Sequence, residues 1–440
     1  MTMTPHFLRL LPAVLLLAAC STVQVQPTTD ATGPARQQQR DAFGEAHALA
    51  ASPNPDQRRI EALLVTVDND TLARRTAALA EGDPLYPYAG RSLQRRGLPL
   101  PRAFTRNWKF DVRAPAENDG YRPPARVALL LPSSAAGNAV RDGFMTGYFG
   151  EARRRPEVRL YDTGGNASAA YERAVADGVD YVVGPLGREE VDALFARGEL
   201  PVPVLALNRG DRQAPAGSVG FSLSPEDEGV SAADYLLGRN LGNVLLLVGG
   251  EDSMRRTANS LAERLGQRGG TIVQRIEVGG ATDELLPQLQ AAQAAGAQAV
   301  FVALRTAQAR RVAEQLDAAG LLIPRFGTSL LDTDGEILRG VAAPTEAWGT
   351  RSVPGLPSRS VAATRIKTAR GPAGRLFAFG YDAWLLTGYL EKLATDPNAE
   401  LPGATGGLRI DGFGNIVREP VWTGATMPIA PPIRPASSGG

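Results

Sequence analysis

Residues 126–162 read RVALLLPSSAAGNAVRDGFMTGYFGEARRRPEVRLYD, and this stretch decides the fold class. The apolar run Val127–Leu131 predicts a buried strand, and Ala139–Arg153, after a turn rich in small residues, carries apolar residues at helical spacing. A second short apolar run, Val158–Tyr161, follows. A strand, a helix and a strand in this order favour two parallel strands joined by a crossover helix.

The same alternation continues along the chain as two runs in series. The first run ends near Asn208 and the second begins near Asn243, so we expect two α/β lobes with a cleft between them. The predicted fold class is therefore α/β, with doubly wound parallel sheets. The further strands expected are Tyr181–Val183, Val204–Leu207, Val244–Val248, Thr271–Ile276 and Ala299–Leu304, and the further helices are Pro225–Leu237, Met254–Arg268 and Ala307–Ala319.

The N-terminus carries a secretion signal with a site for an anchor. The apolar run Leu10–Leu17 leads to LAAC at residues 17–20, which resembles the bacterial lipobox. The cysteine of a lipobox is diacylated, and each buried methylene contributes about 0.8 kcal/mol, so Cys20 would hold the protein on a membrane. A plain signal peptide or an uncleaved anchor is the alternative. Ser21 stands where Asp retains such lipoproteins on the inner membrane, which predicts the outer membrane, facing the periplasm.

Changes in composition divide the chain into parts. Residues 20–40 contain few apolar residues and predict a flexible tether, whereas residues 41–110 carry apolar residues at helical spacing, such as Ile60 and Leu64. Residues 111–124 are rich in proline and predict a linker. The parts expected are a signal peptide at 1–19, a lipidated tether at 20–40, a small helical region at 41–110, a linker at 111–124, a two-lobed domain at 125–424 and a Pro/Ser/Gly-rich tail at 425–440.

Charge balance and the scarcity of histidine and cysteine exclude several classes of function. Lysine and arginine total 47 against 46 acidic residues, which leaves no basic excess for nucleic-acid binding. After the leader, His47 is the only imidazole and Cys20 the only thiol, so a zinc site or a Ser-His or Cys-His catalytic pair cannot be built. No lysine completes a Ser-x-x-Lys motif. The sequence therefore predicts a protein that is not an enzyme and that needs no metal or cofactor.

Several ordered motifs of the predicted lobes resemble a known family. The series VALLLP at 127–132, RDGF at 141–144 and VGPL at 183–186 is similar to type I periplasmic binding proteins. Within that superfamily the chain resembles the LppC or LpoA-type lipoproteins, which are called penicillin-binding protein activators. The resemblance covers residues 125–424. Its further matching segments are Pro203–Asn208, Phe221–Glu228, Arg375–Ala383 and Thr405–Leu408.

This resemblance implies a regulator of cell-wall synthesis. Such lipoproteins reach from the outer membrane and stimulate a class A penicillin-binding protein, which supplies the chemistry; peptidoglycan is a second candidate partner. The best-described members carry a long helical-repeat domain before this module, where about seventy residues stand here, so either another component bridges the periplasm or the partner differs. The rival hypothesis is a lipid-anchored solute receptor that binds an amino acid or similar small molecule in the cleft.

The carboxyl ends of the predicted strands mark the candidate ligand site. In open parallel sheets ligands bind at this edge, where hydroxyls, backbone N–H groups and helix N-termini face the cleft. The alternative is that these residues only shape turns and cap helices, and Ser134 and Asn138, before a predicted helix, favour that alternative. The candidate cleft residues are Ser133, Ser134, Gly137, Asp162, Gly184, Pro185, Asn208 and Asp252.

Overall fold

The computed structural model describes residues 42–280, 284–333, 336–337 and 340–423. The predicted signal peptide, Cys20, the tether and the tail lie outside these residues. Within the described ranges, no helix is both long enough and apolar enough to cross a bilayer. The described chain forms a helical region, two α/β lobes and the segments that connect them.

The helical region has its own apolar core. Asp56 and Asp68 each accept a hydrogen bond from a backbone N–H in the first turn of the following helix, and so cap two of the helices. Phe43, Ile60 and Leu72 are at most 2% exposed and belong to one cluster. The helices are α1 at residues 42–50, α2 Gln57–Thr66, α3 Asn69–Ala77 and α4 Tyr86–Arg95.

The first lobe is an eight-stranded sheet built from two separate parts of the chain. The first part supplies β1 Arg126–Leu131, β2 Glu157–Asp162, β3 Tyr181–Val183, β4 Val204–Ala206 and β5 Val219–Phe221, with helices α5 Ala135–Gly150, α6 Ala167–Ala176 and α7 Arg188–Phe195. The second part supplies α14 Gly371–Thr395, β13 Leu401–Pro402, β14 Gly407–Ile410 and β15 Asn415–Glu419. The strands lie in the order β13-β14-β15-β5-β4-β3-β1-β2.

The second lobe is a six-stranded sheet flanked by helices. Its strands are β6 Asn243–Gly249, β7 Thr271–Val278, β8 Ala299–Ala303, β9 Arg325–Gly327, β12 Val341–Thr345 and β16 Val421–Thr423, in the order β16-β12-β9-β8-β6-β7. A small pair, β10 Asp332–Thr333 and β11 Glu336–Ile337, forms a separate ribbon. The helices are α8 Pro225–Leu237, α9 Asp252–Gln267, α10 Leu286–Ala294 and α11 Thr306–Ala318. Two short helices, α12 Ala347–Thr350 and α13 Arg359–Arg365, lie in the segment of the chain that connects β12 of the second lobe to α14 of the first.

All the predicted strands are present and form two lobes, but neither lobe is one continuous segment of the chain. The chain passes to the second lobe after β5, returns after β12 and passes over again at β16. Strand β15 pairs in parallel with β5, with Ile416 opposite Phe221. The sequence pattern locates strands without showing which strands pair. The first predicted helix is also corrected, because it begins at Ala135 rather than Ala139.

Interior strands such as β1 and β8 are predominantly apolar because both faces of each sheet are covered. Five of six residues in β1 and all five in β8 are buried. Separate apolar clusters lie on the two faces of each sheet. Helices α5 and α14 approach closely over the first lobe at Gly143, where a Cβ would lie 1.8 Å from the carbonyl oxygen of Phe377.

The segment at 111–124, which we expected to be a linker, packs against the first lobe. Tyr121 is 2% exposed and belongs to the core of that lobe. Arg122 forms a 2.8 Å salt bridge to Glu391 on α14. The rings of Trp108 and Phe110 stack with centroids 5.5 Å apart and contact the same core. The helical region is therefore attached to the first lobe by packed side chains.

Candidate functional site

The turn between β1 and α5 contains two of the predicted cleft residues, Ser133 and Ser134. Ser134 lies directly before α5, and its hydroxyl accepts a 3.1 Å hydrogen bond from the N–H of Gly137. Ser133 donates to Asp162 from its hydroxyl (2.8 Å) and from its N–H (3.2 Å). Hydrogen bonds from the Ser133 hydroxyl and the Gly164 N–H hold the pKa of Asp162 below its usual value. The polar groups of this turn therefore hydrogen-bond to the start of α5 and to the end of β2, at the edge of the first sheet.

The two predicted glycines of the site allow close backbone contacts. At both Gly137 and Gly184 a Cβ would lie 2.0 Å from a backbone carbonyl oxygen. Gly184 also has a φ of 108°, a conformation that other residues rarely adopt. Pro185 follows in a cis peptide bond, and its carbonyl accepts a 2.9 Å hydrogen bond from the N–H of Leu207. Gly184 and Pro185 therefore shape the ends of β3 and β4, whereas Gly137 allows α5 to begin close to the end of β1.

Asn208 and Asp252 also make local contacts. The amide nitrogen of Asn208 donates to the carbonyl of Leu186 (2.8 Å), and its amide oxygen accepts from the N–H of Arg209 (2.9 Å). Asp252 begins α9, has a 75% exposed side chain and forms a 2.9 Å salt bridge to Arg256 on the same helix. The structure places the eight predicted residues at strand ends and helix starts, and the hydrogen bonds and ion pairs described for them stay within one lobe.

A largely buried cluster of polar side chains joins the two lobes, and we name it the interlobe junction: Glu228, Ser329, Arg375 and Arg418. Glu228 lies on α8 of the second lobe and is 5% exposed. Ser329 donates to it from its N–H (3.2 Å) and its hydroxyl (2.5 Å). Arg375, on α14 of the first lobe, donates to both Glu228 and Ser329. A salt bridge therefore crosses from one lobe to the other.

A second arginine stands in the junction. Arg418, on β15, is 5% exposed and donates to the carbonyl of Thr405 (3.2 Å). Two further nitrogens of its guanidinium have no hydrogen-bond partner among the described residues. Burial by itself would raise the pKa of Glu228, but the charges of Arg375 and Arg418 outweigh burial and lower that pKa. Glu228 is thus held as a carboxylate between two cations.

A carboxyl group lies beside the junction inside the first lobe. Asp382, on α14, is fully buried and accepts hydrogen bonds from the N–H of Ala404 (2.5 Å) and from the N–H and hydroxyl of Thr405 (2.8 and 2.5 Å). Burial raises the pKa of Asp382 to about 6 against these hydrogen bonds and the charge of Arg418. Its charge therefore changes close to neutral pH.

Sequence reasoning assigned no role to the junction residues. The motif Phe221–Glu228 nevertheless ends at Glu228, and the motif Arg375–Ala383 contains Arg375 and Asp382. These two motifs were the sequence signal that could have identified the junction residues. Their pairing was hidden because Glu228 and Arg375 lie 147 residues apart in the chain.

Within the described ranges, no group of three or more His, Cys, Asp or Glu side chains is arranged to hold a metal ion. His47 lies in the helical region, with its Nε2 atom 2.9 Å from the carboxylate of Asp83.

Comparison with known proteins identifies relatives of the chain. The family model described as "LppC putative lipoprotein" matches residues 120–319. The "Penicillin-binding protein activator LpoA" of Pasteurella multocida is 26% identical over 317 residues, which covers 68% of this chain and 53% of that protein. The protein of the same name from Photobacterium profundum is 27% identical over 339 residues, covering 67% and 55%. This chain therefore spans about half the length of these curated relatives.

Solved structures share the fold. The LpoA C-domain from Haemophilus influenzae, described as "a regulator of PBP1A", has a TM-score of 0.58 and 23% identity, covering 68% of this chain and 96% of that one. A "putative branched-chain amino acid ABC transporter" from Chromobacterium violaceum has a TM-score of 0.57 and 29% identity, covering 68% and 99%. The resemblance stated from the sequence and the two-lobed periplasmic-binding-protein-like fold are thereby confirmed.

Proposed function

We propose that this relative of the LppC and LpoA lipoproteins binds a class A penicillin-binding protein, stimulates it and so regulates peptidoglycan synthesis. The observation that carries the proposal is the match to proteins named penicillin-binding protein activator over 68% of this chain. The partner and the effect on it are inferred from those relatives.

Stimulation is a consequence of binding, and the protein itself neither synthesises nor hydrolyses glycan. A bound regulator shifts its partner toward the active state only by the difference in its affinity for the two states. A tenfold shift requires about 1.4 kcal/mol of that difference. The buried salt bridge between Glu228 and Arg375 supports a preformed surface, which reduces the ordering cost of binding.

A reconstituted crosslinking assay tests the proposal. The soluble mature protein, added to a class A penicillin-binding protein from the same cell, should raise its peptide-crosslinking output and saturate with concentration. The protein without its partner should show no activity in the same assay. The same amount of thermally unfolded protein is the control. An output that stays unchanged at saturating concentrations would refute the proposal.

The anchor is a separate part of the proposal. Cys20 carries lipid, and the protein sits in the outer membrane and faces the periplasm; the support is the LAAC sequence at residues 17–20 followed by Ser21. Mass spectrometry of the mature N-terminus should find an acylated Cys20. Cys20→Ser should leave a soluble or leader-retaining protein. An unmodified N-terminus beyond residue 20 would contradict the anchor.

The second candidate function is that of a solute receptor. It is favoured by the 29% identity to a chain described as a putative branched-chain amino acid ABC transporter. In that case the predicted cleft residues would hold an amino acid or similar small molecule. Calorimetry against free amino acids and muropeptides decides between the two. The receptor would be favoured by tight binding of a small molecule together with no response of the penicillin-binding protein. Asp162→Asn should then abolish that binding, whereas the control Glu157→Gln, on the same strand, should leave it intact.

A further inference from the structure

A groove of about 910 Å³ lies where the helical region and both lobes meet. One wall is the end of α4 with the residues that follow it. The second wall is the edge of the first sheet with the loop after β4, and the third is formed by α8 and α9. We name this cavity the three-walled groove. It needs all three parts of the described chain, so neither lobe contains it alone.

The helical wall is held firmly in place. Arg91, on α4, has a 14% exposed side chain and forms salt bridges to Glu61 (2.9 Å) and to Asp411 of the first lobe (3.3 Å). Its guanidinium also lies 3.4 Å from the ring centroid of Phe413. A cation paired with two carboxylates and an aromatic ring is not free to move, so the groove is preformed.

Arginine dominates the charge of the three-walled groove. Eight arginines and five carboxylates line it, whereas the whole chain has a net charge of only +1. Part of the negative charge is already neutralised, because Asp227 pairs with Arg209 (2.9 Å) and Asp234 with Arg264 (2.8 Å). The lining arginines are Arg91, Arg95, Arg209, Arg212, Arg264, Arg268, Arg409 and Arg418.

The positive surplus persists when neighbouring ion-pair partners are included. Glu61 and Glu400 approach three of the lining arginines from outside the groove, and Arg188 approaches one of the lining carboxylates. Adding these three residues gives nine arginines and seven carboxylates. The groove therefore remains positive after its own salt bridges have formed.

Several of these cations are accessible to a ligand. Arg212 is exposed, and the described residues offer its guanidinium no hydrogen bond or ion pair. Arg409 and Arg268 have side chains 48% and 34% exposed, and each still has hydrogen-bonding capacity beyond its acidic partner. Arginine presents a planar pair of donors that matches a carboxylate, so this lining suits carboxylates.

The groove also has an apolar strip. Trp422 and Tyr235 stack with ring centroids 4.5 Å apart, and both line the groove. Val417, on β15 of the first lobe, also lines the groove and is 40% exposed. Aromatic and arginine side chains together are typical of the centres of protein interfaces. This combination fits a polypeptide better than a small anion, which would use the charges but not the rings.

We propose that the three-walled groove receives an extended acidic segment of the penicillin-binding protein. This inference rests on the proposed function and names the surface that performs it. The chain's own residues 424–440, which follow the groove residue Trp422 in sequence, contain Arg434 and no carboxylate side chain. Charge complementarity therefore selects a partner segment over this tail.

A peptide titration tests the groove without the partner. The probe is a fluorescent peptide of alternating Glu and Ser, titrated with the full mature protein at low and physiological salt. It should bind, weaken as salt rises, and lose about tenfold or more in affinity with R212E/R409E. The matched control R159E/R275E reverses two exposed, paired arginines on the edge strands β2 and β7 and should bind like the wild type.

A crosslinking experiment tests the groove with the partner. A photoreactive phenylalanine at Gln213, an exposed groove residue, should crosslink to the penicillin-binding protein through a segment in which Asp and Glu outnumber Lys and Arg. The same group at Leu160, which is 60% exposed on β2, is the control and should crosslink weakly. Arg212→Ala removes a side chain without a described partner. It therefore tests the groove in a variant that should fold even if the double variant does not.

The outcomes separate the inference from the proposed function. If the penicillin-binding protein is stimulated equally by R212E/R409E, or crosslinks through a segment without acidic excess, the groove inference is overturned and the function stands. A second copy of this chain as the crosslinked species overturns it as well. If no penicillin-binding protein responds but the acidic peptide binds and loses affinity with R212E/R409E, the proposed function fails and the groove remains an acidic-segment site. Failure of the peptide to bind, together with no response, overturns both.

Discussion

The strand-end turns of the first lobe and the interlobe junction both carry polar side chains, but they use them differently. In the turns, Ser133, Ser134 and Asp162 bond to groups in the same turn or the next strand. In the junction, Glu228 and Arg375 bond across the two lobes. The comparison teaches that residues which a sequence motif marks as a binding cleft can serve the local backbone, whereas distant residues fix how the lobes are arranged.

Burial is the physical difference between the two regions. The turn residues Ser133, Ser134 and Asp162 are exposed, so water can replace any bond that they lose. Glu228 and Arg418 are 5% exposed, so a lost partner leaves a charge without solvation. We therefore expect large energetic effects in the junction and small ones in the turns, and the following predictions test that order.

Glu228→Gln should have the largest effect, because it leaves Arg375 and Arg418 without their central carboxylate. Breaking a buried ion pair from one side costs about 3–5 kcal/mol of unfolding free energy. Urea denaturation of the mature protein measures it. Glu226→Gln, on the same helix with a 42% exposed side chain, is the matched control and should cost about 1 kcal/mol or less. Equal losses in the two variants would remove the distinction between the regions.

Asp382 should make the folded protein more stable as the pH falls, which is the opposite of the usual effect of a carboxyl group. Its pKa rises from 3.8 to about 6 on folding, so the folded state binds the proton more tightly than the unfolded state. The resulting stabilisation, about 3 kcal/mol at 1.36 kcal/mol per pKa unit, is complete below pH 4 and is lost as pH rises through 6.

Denaturation at a series of pH values measures this contribution as the difference in unfolding free energy between the wild type and Asp382→Asn. The difference should change between pH 4 and 6 and stay level above that range. Asp396→Asn, at the exposed C-terminal end of α14, provides the control because it carries the same chemical change outside the core. A difference in unfolding free energy that stays constant over the whole pH range would show that Asp382 does not titrate in this way.

Gly184→Ala should have an intermediate effect. The added Cβ would lie 2.0 Å from the carbonyl oxygen of Leu130, at a backbone φ of 108°. Strain of this kind costs about 1–3 kcal/mol. Gly266→Ala is the control, since Gly266 lies in α9 with open space around its Cβ position and should gain up to about 1 kcal/mol in stability. Thermal unfolding of both variants should show shifts of opposite sign.

Ser134→Ala should have the smallest effect of the series. The change removes the cap of α5, which costs about 1 kcal/mol. Asn138→Ala is the control, because Asn138 lies inside that helix and its replacement should be neutral or slightly stabilising. Both variants should stimulate the penicillin-binding protein normally in the crosslinking assay. A complete loss of stimulation with Ser134→Ala at unchanged stability would show that Ser134 takes part in binding.

Much of the fold was predictable from sequence. Every predicted strand is present within two residues, since an apolar run bounded by turns is a local signal. Ser224 before Pro225 marks the start of α8, and its hydroxyl accepts from the N–H of Asp227 as capping chemistry requires. The motif series also showed the resemblance to the LppC and LpoA-type lipoproteins and, through it, the two-lobed fold. The strands and the helix cap depend on neighbouring residues, which is why one sequence determined them.

Only the tertiary structure decided how these elements join. The parallel pairing of β5 with β15, the return of β16 to the second lobe and the salt bridge between Glu228 and Arg375 all link residues far apart in the chain. The three-walled groove likewise draws its arginines from the helical region and both lobes. Periodicity and capping report on contacts within a few positions, whereas strand pairing and buried charge pairing depend on which distant surfaces pack together. The sequence determined the parts, and long-range packing determined their arrangement and the surfaces between them.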